Sequence, residues 1–238
     1  MGVGRWAFSF FLMLSAIIVA AGSSRRMGFD KLFAEIVGKP VIAHSLNAFA
    51  RTESVNEIIV VAQEDRHRDI EQIVRDENLN NVRAIVRGGE HRHDSVRAGL
   101  ATVSGDAEYI AVHDAARPLV TPQQIEHVFE KCRYFGAASL AEPIGDTIKR
   151  ADVDLRVAQS VDRHELYAMQ TPQIFERKIL DQAYQVVSEK MLLVTDEVSA
   201  VELIGRKAAL VVNDEFNFKI TYPRDLSLAG FILRQRGV

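Results

Sequence analysis

Ser15-Ala-Ile-Ile-Val-Ala-Ala-Gly-Ser-Ser-Arg-Arg-Met-Gly28 decides how the rest of the chain is read. Its first half is an apolar run of strand length. Its second half is a loop of small residues holding Arg25 and Arg26, with Lys31 close behind. A buried strand opening into a small, cationic loop is the pattern of an α/β sheet with a phosphate-handling turn at a strand end. The loop fits neither Gly-x-x-x-x-Gly-Lys-Ser/Thr nor Gly-x-Gly-x-x-Gly, so the Walker and dinucleotide fingerprints are both absent. Small side chains still let backbone N–H groups close on phosphate oxygens, and Arg25, Arg26 and Lys31 place cations where a triphosphate would lie. A solvated surface loop has the same composition, so this stretch alone leaves both readings open.

Downstream, apolar runs of strand length alternate with amphipathic stretches of helix length. Strands are expected at 16–20, 57–62, 82–86, 109–112 and 137–141, and helices at 41–50, 66–77, 94–102 and 122–132. This βαβ rhythm predicts a mainly parallel sheet with helices on both faces and its ligand at the edge where the strands end. The rhythm breaks at Pro143. From 143 to 170 the chain is polar with short-range alternation, which predicts a β-hairpin leaving the sheet as an arm. An isolated two-stranded arm is marginal in water and is expected to pack on a partner. Beyond it, Thr171-Pro-Gln-Ile-Phe175 is read as a turn entering a helix at 176–188. A helix at 196–204, a strand at 208–212 and a last helix at 224–235 follow, the last opened by Pro223.

Bulk properties narrow the function. Twenty-nine Lys and Arg against 32 Asp and Glu give a net charge of −3, so no general basic field exists to hold nucleic acid. Cys132 is the one cysteine; an internal disulfide and a Cys-x-x-Cys zinc site are excluded, and a reducing cytoplasm is expected. Residues 6–21 imitate a signal peptide, with Arg5 before an apolar run, but the run is short for a membrane span. Cleavage near residue 21 would destroy the first strand. Residues 1–14 are therefore expected to be an over-extended start or apolar leader, with translation beginning at Met13 and no stable membrane association. Residues 15–238 are expected to form one domain.

Further loops hold groups suited to phosphate chemistry. Val112-His-Asp-Ala-Ala-Arg-Pro118 closes an apolar strand. Asp114 there can hold Mg²⁺ against phosphates, and Arg117 can receive phosphate bidentately. His113 reads as a hydrogen-bonded structural residue or a base. In Arg87-Gly-Gly-Glu-His-Arg-His-Asp-Ser-Val96, the backbone of Gly88 and Gly89 can read base and ribose, and Asp94-Ser95 can cap a helix. His91 and His93 invite a zinc reading that nothing nearby completes. Thr195-Asp-Glu-Val-Ser199 reads as a helix start with Asp196 and Glu197 near its positive end, and Lys219 falls among Phe216, Phe218 and Ile220.

Taken together, Ala-Ala-Gly-x-x-x-Arg-Met with its following Lys, His-Asp-Ala-Ala-Arg-Pro, Thr-Pro-Gln-x-Phe, Thr-Asp-Glu-x-Ser and Asn-x-Lys-x-Thr-x-Pro-x-Asp-Leu resemble the 2-C-methyl-D-erythritol 4-phosphate cytidylyltransferase family over residues 15–235. The resemblance implies a Rossmann-like nucleotidyltransferase sheet flanked by helices, CTP as substrate, Mg²⁺, and a homodimer through the arm. It implies in-line attack by the methylerythritol phosphate on the α-phosphorus of CTP. Arg26 and Lys31 match residues that stabilise that transition state. Ala21, Gly22, Gly88, Gly89 and Ser95 match cytidine and phosphate contacts. Asp114 matches a residue near metal and substrate, and Arg163 and Lys219 match residues that hold the acceptor. Thr147 on the arm and Thr195 are carried over as further binding positions. Two other readings compete. A nucleotidyltransferase for another polyol or sugar phosphate would use the first loop equally well but leaves Arg163, Lys219 and the arm unexplained. A non-catalytic nucleotide-binding regulator would be marked by loss of Arg26, Lys31 or Asp114, and all three are present.

Overall fold

The computed structural model describes residues 13–22, 24 and 27–237. The expectations for residues 1–12 and for Arg25 and Arg26 lie outside the described residues. The first half of the chain runs β1 (Leu14–Ala20), a small hairpin of β2 (Glu35–Ile36) and β3 (Lys39–Pro40), α1 (Val41–Ala50), β4 (Val55–Ala62), α2 (His67–Asp76), β5 (Val82–Arg87), α3 (Arg92–Leu100) and β6 (Tyr109–Asp114). The second half runs α4 (Pro122–Phe135), β7 (Ala137–Pro143), β8 (Ile148–Ala151), β9 (Val157–Val161), β10 (Tyr167–Glu176), α5 (Arg177–Glu189), α6 (Glu197–Glu202), β11 (Ala209–Val212) and α7 (Pro223–Gln235).

Seven strands form the main sheet in the order β11-β7-β10-β6-β1-β4-β5. β1 sits near its middle, parallel to β4 and β6, with Ile17 opposite Ile59 on one side and Val112 on the other. Its apolar run is continuous because both faces are covered. Ala16, Ile18 and Ala20 enter one core layer with Leu46, Phe49, Val128 and Ile232 from the helices α1, α4 and α7. Ile17 enters the other with Val96, Leu180, Ala183 and Val201 from α3, α5 and α6. Alternate residues of one strand thus bind two helical layers to a single sheet, as the two-residue period of a strand requires.

Local signals set the element ends. Thr121 caps α4: its hydroxyl accepts from the Gln124 amide at 3.2 Å, while Gln124 Oε1 accepts from the Thr121 amide at 3.0 Å. Pro122 fills the first helical position, where no amide partner is needed. Gly136, at φ 80°, ends α4 in the left-handed conformation and turns the chain directly into β7.

Two expectations change. Thr171–Phe175 is not a turn before a helix but part of β10, which lies antiparallel between β6 and β7. Proline in the run suggested a turn; instead the register with β7 breaks between Met169 and Gln173, so Pro172 never has to donate to that ladder. The sheet is accordingly mixed, with one strand reversed. The helix expected at 94–102 also begins earlier, at Arg92, and Asp94 caps it from within its first turn. Its carboxylate reaches back to accept from the His91 amide at 3.1 Å.

The arm is present where the alternation broke. β8 and β9 pair only with each other, from Ile148 opposite Val161 to Ala151 opposite Val157. Its residues are almost all exposed, Val153 at 98% and Leu155 at 88%. Its root is firm, because Pro143 and Glu142 of β7 pair with Tyr167 and Ala168 of β10.

Candidate active site

A cavity of about 380 Å³ opens at the edge where β1 and β6 end. Ala20, Ala21, Gly22, Ser24 and Lys31 line it from the first loop, and Gly89, Glu90, Arg92 and Ser95 from the turn into α3. Asp114 forms the floor, with Lys219 and Thr221 on the far side. Ligands of open α/β sheets bind at this edge because the loops after parallel strands converge there.

The first loop is held from below by Arg66. This buried guanidinium donates to the carbonyls of Ala20 at 2.7 Å and Gly22 at 2.9 Å, and its Nε lies 2.6 Å from Asp30 Oδ2. The second loop packs directly on the first. A Cβ on Gly88 would sit 2.5 Å from Ala21 Cβ and 2.8 Å from Ser95 Oγ, so only glycine admits this approach. Gly89 N–H donates to Ser95 Oγ at 3.2 Å. Ala21, Gly22, Gly89 and Ser95 therefore line one wall together, with Gly88 as the spacer behind it.

Asp114 is the charged centre. Lys219 Nζ stands 2.8 Å from Oδ2, Arg92 Nε 3.3 Å from Oδ1, and Arg117 Nε 3.9 Å from Oδ2. Burial alone would push this carboxyl up, but Arg92, Lys219 and Arg117 outweigh it and hold the acid well below the usual carboxylate range. The backbone beneath is set by a directed chain. Asp114 N–H donates to Thr171 Oγ1 at 3.1 Å, Thr171 Oγ1 meets His113 Nδ1 at 3.0 Å, and His113 Nε2 faces the Arg117 carbonyl at 3.2 Å. The Thr171 hydroxyl proton then points at Nδ1 and the ring proton sits on Nε2, a single self-consistent neutral tautomer. Full burial, reinforced by Arg117, holds the His113 pKa down at about 3 against the opposing pull of Asp114. His113 is thus a buried hydrogen-bonded residue facing away from solvent rather than a group open to the cleft.

The sequence-predicted residues divide. Ala21, Gly22, Lys31, Gly89, Ser95, Asp114 and Lys219 meet at the cleft. Lys31 Nζ donates to the Ile220 carbonyl at 2.6 Å, which joins the first loop to the segment bearing Lys219. Arg117 lies behind the floor, donating to the carbonyls of Asn217 at 2.7 Å and Met169 at 3.5 Å. Thr147 and Arg163 are exposed on the arm, where Arg163 bonds the Gly145 carbonyl. Thr195 is exposed beside Ser199, and Asp196 caps α6 by accepting from the Ser199 amide at 3.0 Å. His91 and His93 stack with centroids 5.4 Å apart, and among the described residues no group of three metal-ligating side chains gathers.

Sequence reasoning missed Arg66, Arg92 and the role of Glu197. Arg92 had a signal, as a cation in the glycine-rich turn. Glu197 had none: its partner Arg92 lies 105 residues away, and its place at a helix start read as capping.

A doubly covered α/β sheet whose strand-end cleft joins a small-residue loop to a carboxylate ringed by cations defines a nucleotidyltransferase. The family model for 2-C-methyl-D-erythritol 4-phosphate cytidylyltransferase matches residues 14–235, and the chain belongs to that family. It is 41% identical over 225 residues to the enzyme of that name from Caldanaerobacter subterraneus subsp. tengcongensis, covering 93% of this chain and 99% of the relative. It is 38% identical over 224 residues to that of Halalkalibacterium halodurans, covering 93% and 97%. The crystal structure of 4-diphosphocytidyl-2C-methyl-D-erythritol synthase from Anaerococcus prevotii superposes with a TM-score of 0.83 at 30% identity, covering 94% of this chain and 97% of that one. Among the described residues no helix is long and apolar enough to cross a membrane.

Proposed function

We propose that the protein transfers CMP from CTP to 2-C-methyl-D-erythritol 4-phosphate, giving CDP-methylerythritol and pyrophosphate in the non-mevalonate isoprenoid pathway. The observation that carries this reading is the cation-ringed Asp114 facing Lys31 across a cleft, in a chain that matches the cytidylyltransferase family nearly end to end. A phosphate oxygen of the acceptor attacks the α-phosphorus in line, and the bond to the pyrophosphate oxygen breaks. Such transfers depend mostly on positioning and charge neutralisation. Lys31, with Arg26 five residues earlier in the sequence, neutralises charge on the phosphates. Gly88, Gly89 and Ser95 hold the cytidine end, and Ala21 and Gly22 the phosphates. Lys219 and Arg163 hold the acceptor phosphate; Thr147 and Thr195 serve as further binding positions. Arg117 supports the floor from beneath.

The donor set fits a magnesium ion held chiefly by nucleotide oxygens and water, with Asp114 as its single protein carboxylate, a common arrangement for this ion. When bound, the ion would neutralise phosphate charge. The chain's own residues orient the reactants around it.

The exposed hairpin with Arg163 on it supports a homodimer in which each arm reaches the partner's site. The single buried thiol and the lack of a basic field favour a cytoplasmic protein that binds no nucleic acid. The test is direct. Purified protein is incubated with CTP, Mg²⁺ and a panel of polyol phosphates while pyrophosphate is measured. Methylerythritol phosphate is expected to turn over alone among them, and only with a divalent metal. Equal turnover with ribitol 5-phosphate, or activity in excess chelator, rejects the reading.

A further inference from the structure

Behind the cleft wall lies a buried acid that the proposed reaction does not use. Glu197 is fully buried at the start of α6. Its Oε1 takes Arg92 at 2.5 Å and the Tyr184 hydroxyl at 3.0 Å, while its Oε2 is buried and accepts nothing from the described protein groups. Its amide is anchored as well, donating to Gln173 Oε1 at 3.1 Å. Arg92 uses a different nitrogen, Nε, for Asp114 on the cleft floor. Two carboxylates on separate elements are thus bridged by one guanidinium, and the rear one is fixed by a phenol from α5.

Stability alone does not account for this arrangement. Desolvating a carboxylate and a guanidinium costs about as much as their attraction returns, and apolar residues of the same volume would serve as well or better. What the ion pair adds is direction. The guanidinium is planar with its donors in a rigid fork, so pinning one nitrogen to Glu197 sets where the others point. Arg92 also lines the cleft, so its plane is felt at Asp114 and at whatever anion enters beside it.

We infer that Tyr184, Glu197 and Arg92 form a positioning relay: Tyr184 and Glu197 touch no substrate but fix the plane of Arg92, and Arg92 fixes the Asp114 carboxylate between itself and Lys219. The kinetic side of this inference rests on the cytidylyltransferase reading of the cleft.

Two measurements test it. In steady-state turnover, Tyr184→Phe removes one hydroxyl from the rear of the relay and is expected to lower kcat about three- to tenfold, with KM for CTP little changed. Arg92→Lys keeps the charge and loses the rigid plane. In that background, Tyr184→Phe is expected to cause no further loss, because the hydroxyl acts only through the guanidinium. Losses that multiply in the double variant, or a Tyr184→Phe protein that melts lower while its kcat stays whole, overturn the relay. The second measurement is independent of any acceptor. The Arg92 Nε–H resonance, followed by ¹⁵N NMR, is expected to exchange slowly in the wild-type protein and to shift and exchange faster in Tyr184→Phe. An unchanged resonance refutes the relay even if the wild-type protein turns over a different phosphate, an outcome that would fall on the proposed function instead.

Discussion

The floor of the cleft and the β8–β9 arm are built on opposite terms. At the floor, Asp114 keeps only 11% of its side chain exposed and is met by three cations, and His113 beneath it is fully enclosed with both ring nitrogens engaged. In the arm, two short strands pair with nothing but each other and Val153, Leu155 and Val157 stand in solvent. The chain itself over-determines the first region. The second has strand geometry but no core of its own. Charge geometry that must hold to a fraction of an ångström sits where the packing of the chain enforces it, and the arm is left open to solvent.

The sharpest way to break that contrast is at the cleft. Lys31→Ala is expected to lower turnover by the equivalent of about 2.7–4 kcal/mol of barrier, far more than it weakens CTP binding, because a preorganised donor acts on charge that develops in the transition state. Near-normal kcat with only weaker CTP binding would assign Lys31 to ground-state binding. The arm gives the next largest effect. Homodimers of Lys31→Ala and of Arg163→Ala should each be nearly inactive. After the two are unfolded, mixed equally and refolded, about half the dimers are mixed and one site in each is whole, so roughly a quarter of wild-type activity should return. A mixture that forms heterodimers yet stays at background would place Arg163 in its own subunit's site.

Gly88→Ala sharpens the contrast more gently. The new methyl would lie 2.5 Å from Ala21 Cβ, backbone-bound on both sides, so the two loops must part. CTP affinity is expected to fall about tenfold by calorimetry, with a cost of about 1–3 kcal/mol in stability. Unchanged affinity would mean that the loops move apart without affecting the nucleotide.

The smallest effect is a pH slope. His113 titrates near 3 when folded and near 6.5 when unfolded. Between those values the unfolded chain binds a proton that the native ring does not, so stability falls as pH drops below about 6.5, by at most about 1.4 kcal/mol per pH unit. Urea unfolding at pH 6.5 and 5.0 should show this slope, flattened in His113→Gln. Equal slopes in both proteins would deny that the floor owes its acid sensitivity to His113.

The same contrast explains what could be read from the sequence. Core strands and helices were legible because their period is local: 41–50 reads as a helix from spacing alone and α1 spans Val41–Ala50. The cleft loops were legible where they follow such strands, as at Gly89, Asp114 and Lys31. β10 was not, because a reversed strand inserted into a parallel rhythm leaves no mark in its own composition, and Pro172 pointed to a turn. The Arg92–Glu197 pair was not, since nothing local in either residue shows what lies 105 positions away. Arg117 has the residue type of a phosphate ligand, but its donors reach the carbonyls of Asn217 and Met169, a use visible only in three dimensions.

The course of β10 has a consequence for how such a protein can be altered over time. One end of the strand is welded at Tyr167 to β7; farther along, Thr171 anchors the Asp114 backbone and Ile174 is locked between Ala111 and Ala138. Insertions or deletions in the hairpin beyond Pro143 and before Tyr167 leave every one of those sheet hydrogen bonds in place. The ladder to β7 is already irregular between Met169 and Gln173, so the register that cannot slip is that of Gln173, Ile174 and Phe175, where a one-residue change would turn Ile174 to the wrong face. The length of the hairpin is therefore free to drift, while Gln173, Ile174 and Phe175 must keep their register against both neighbouring strands.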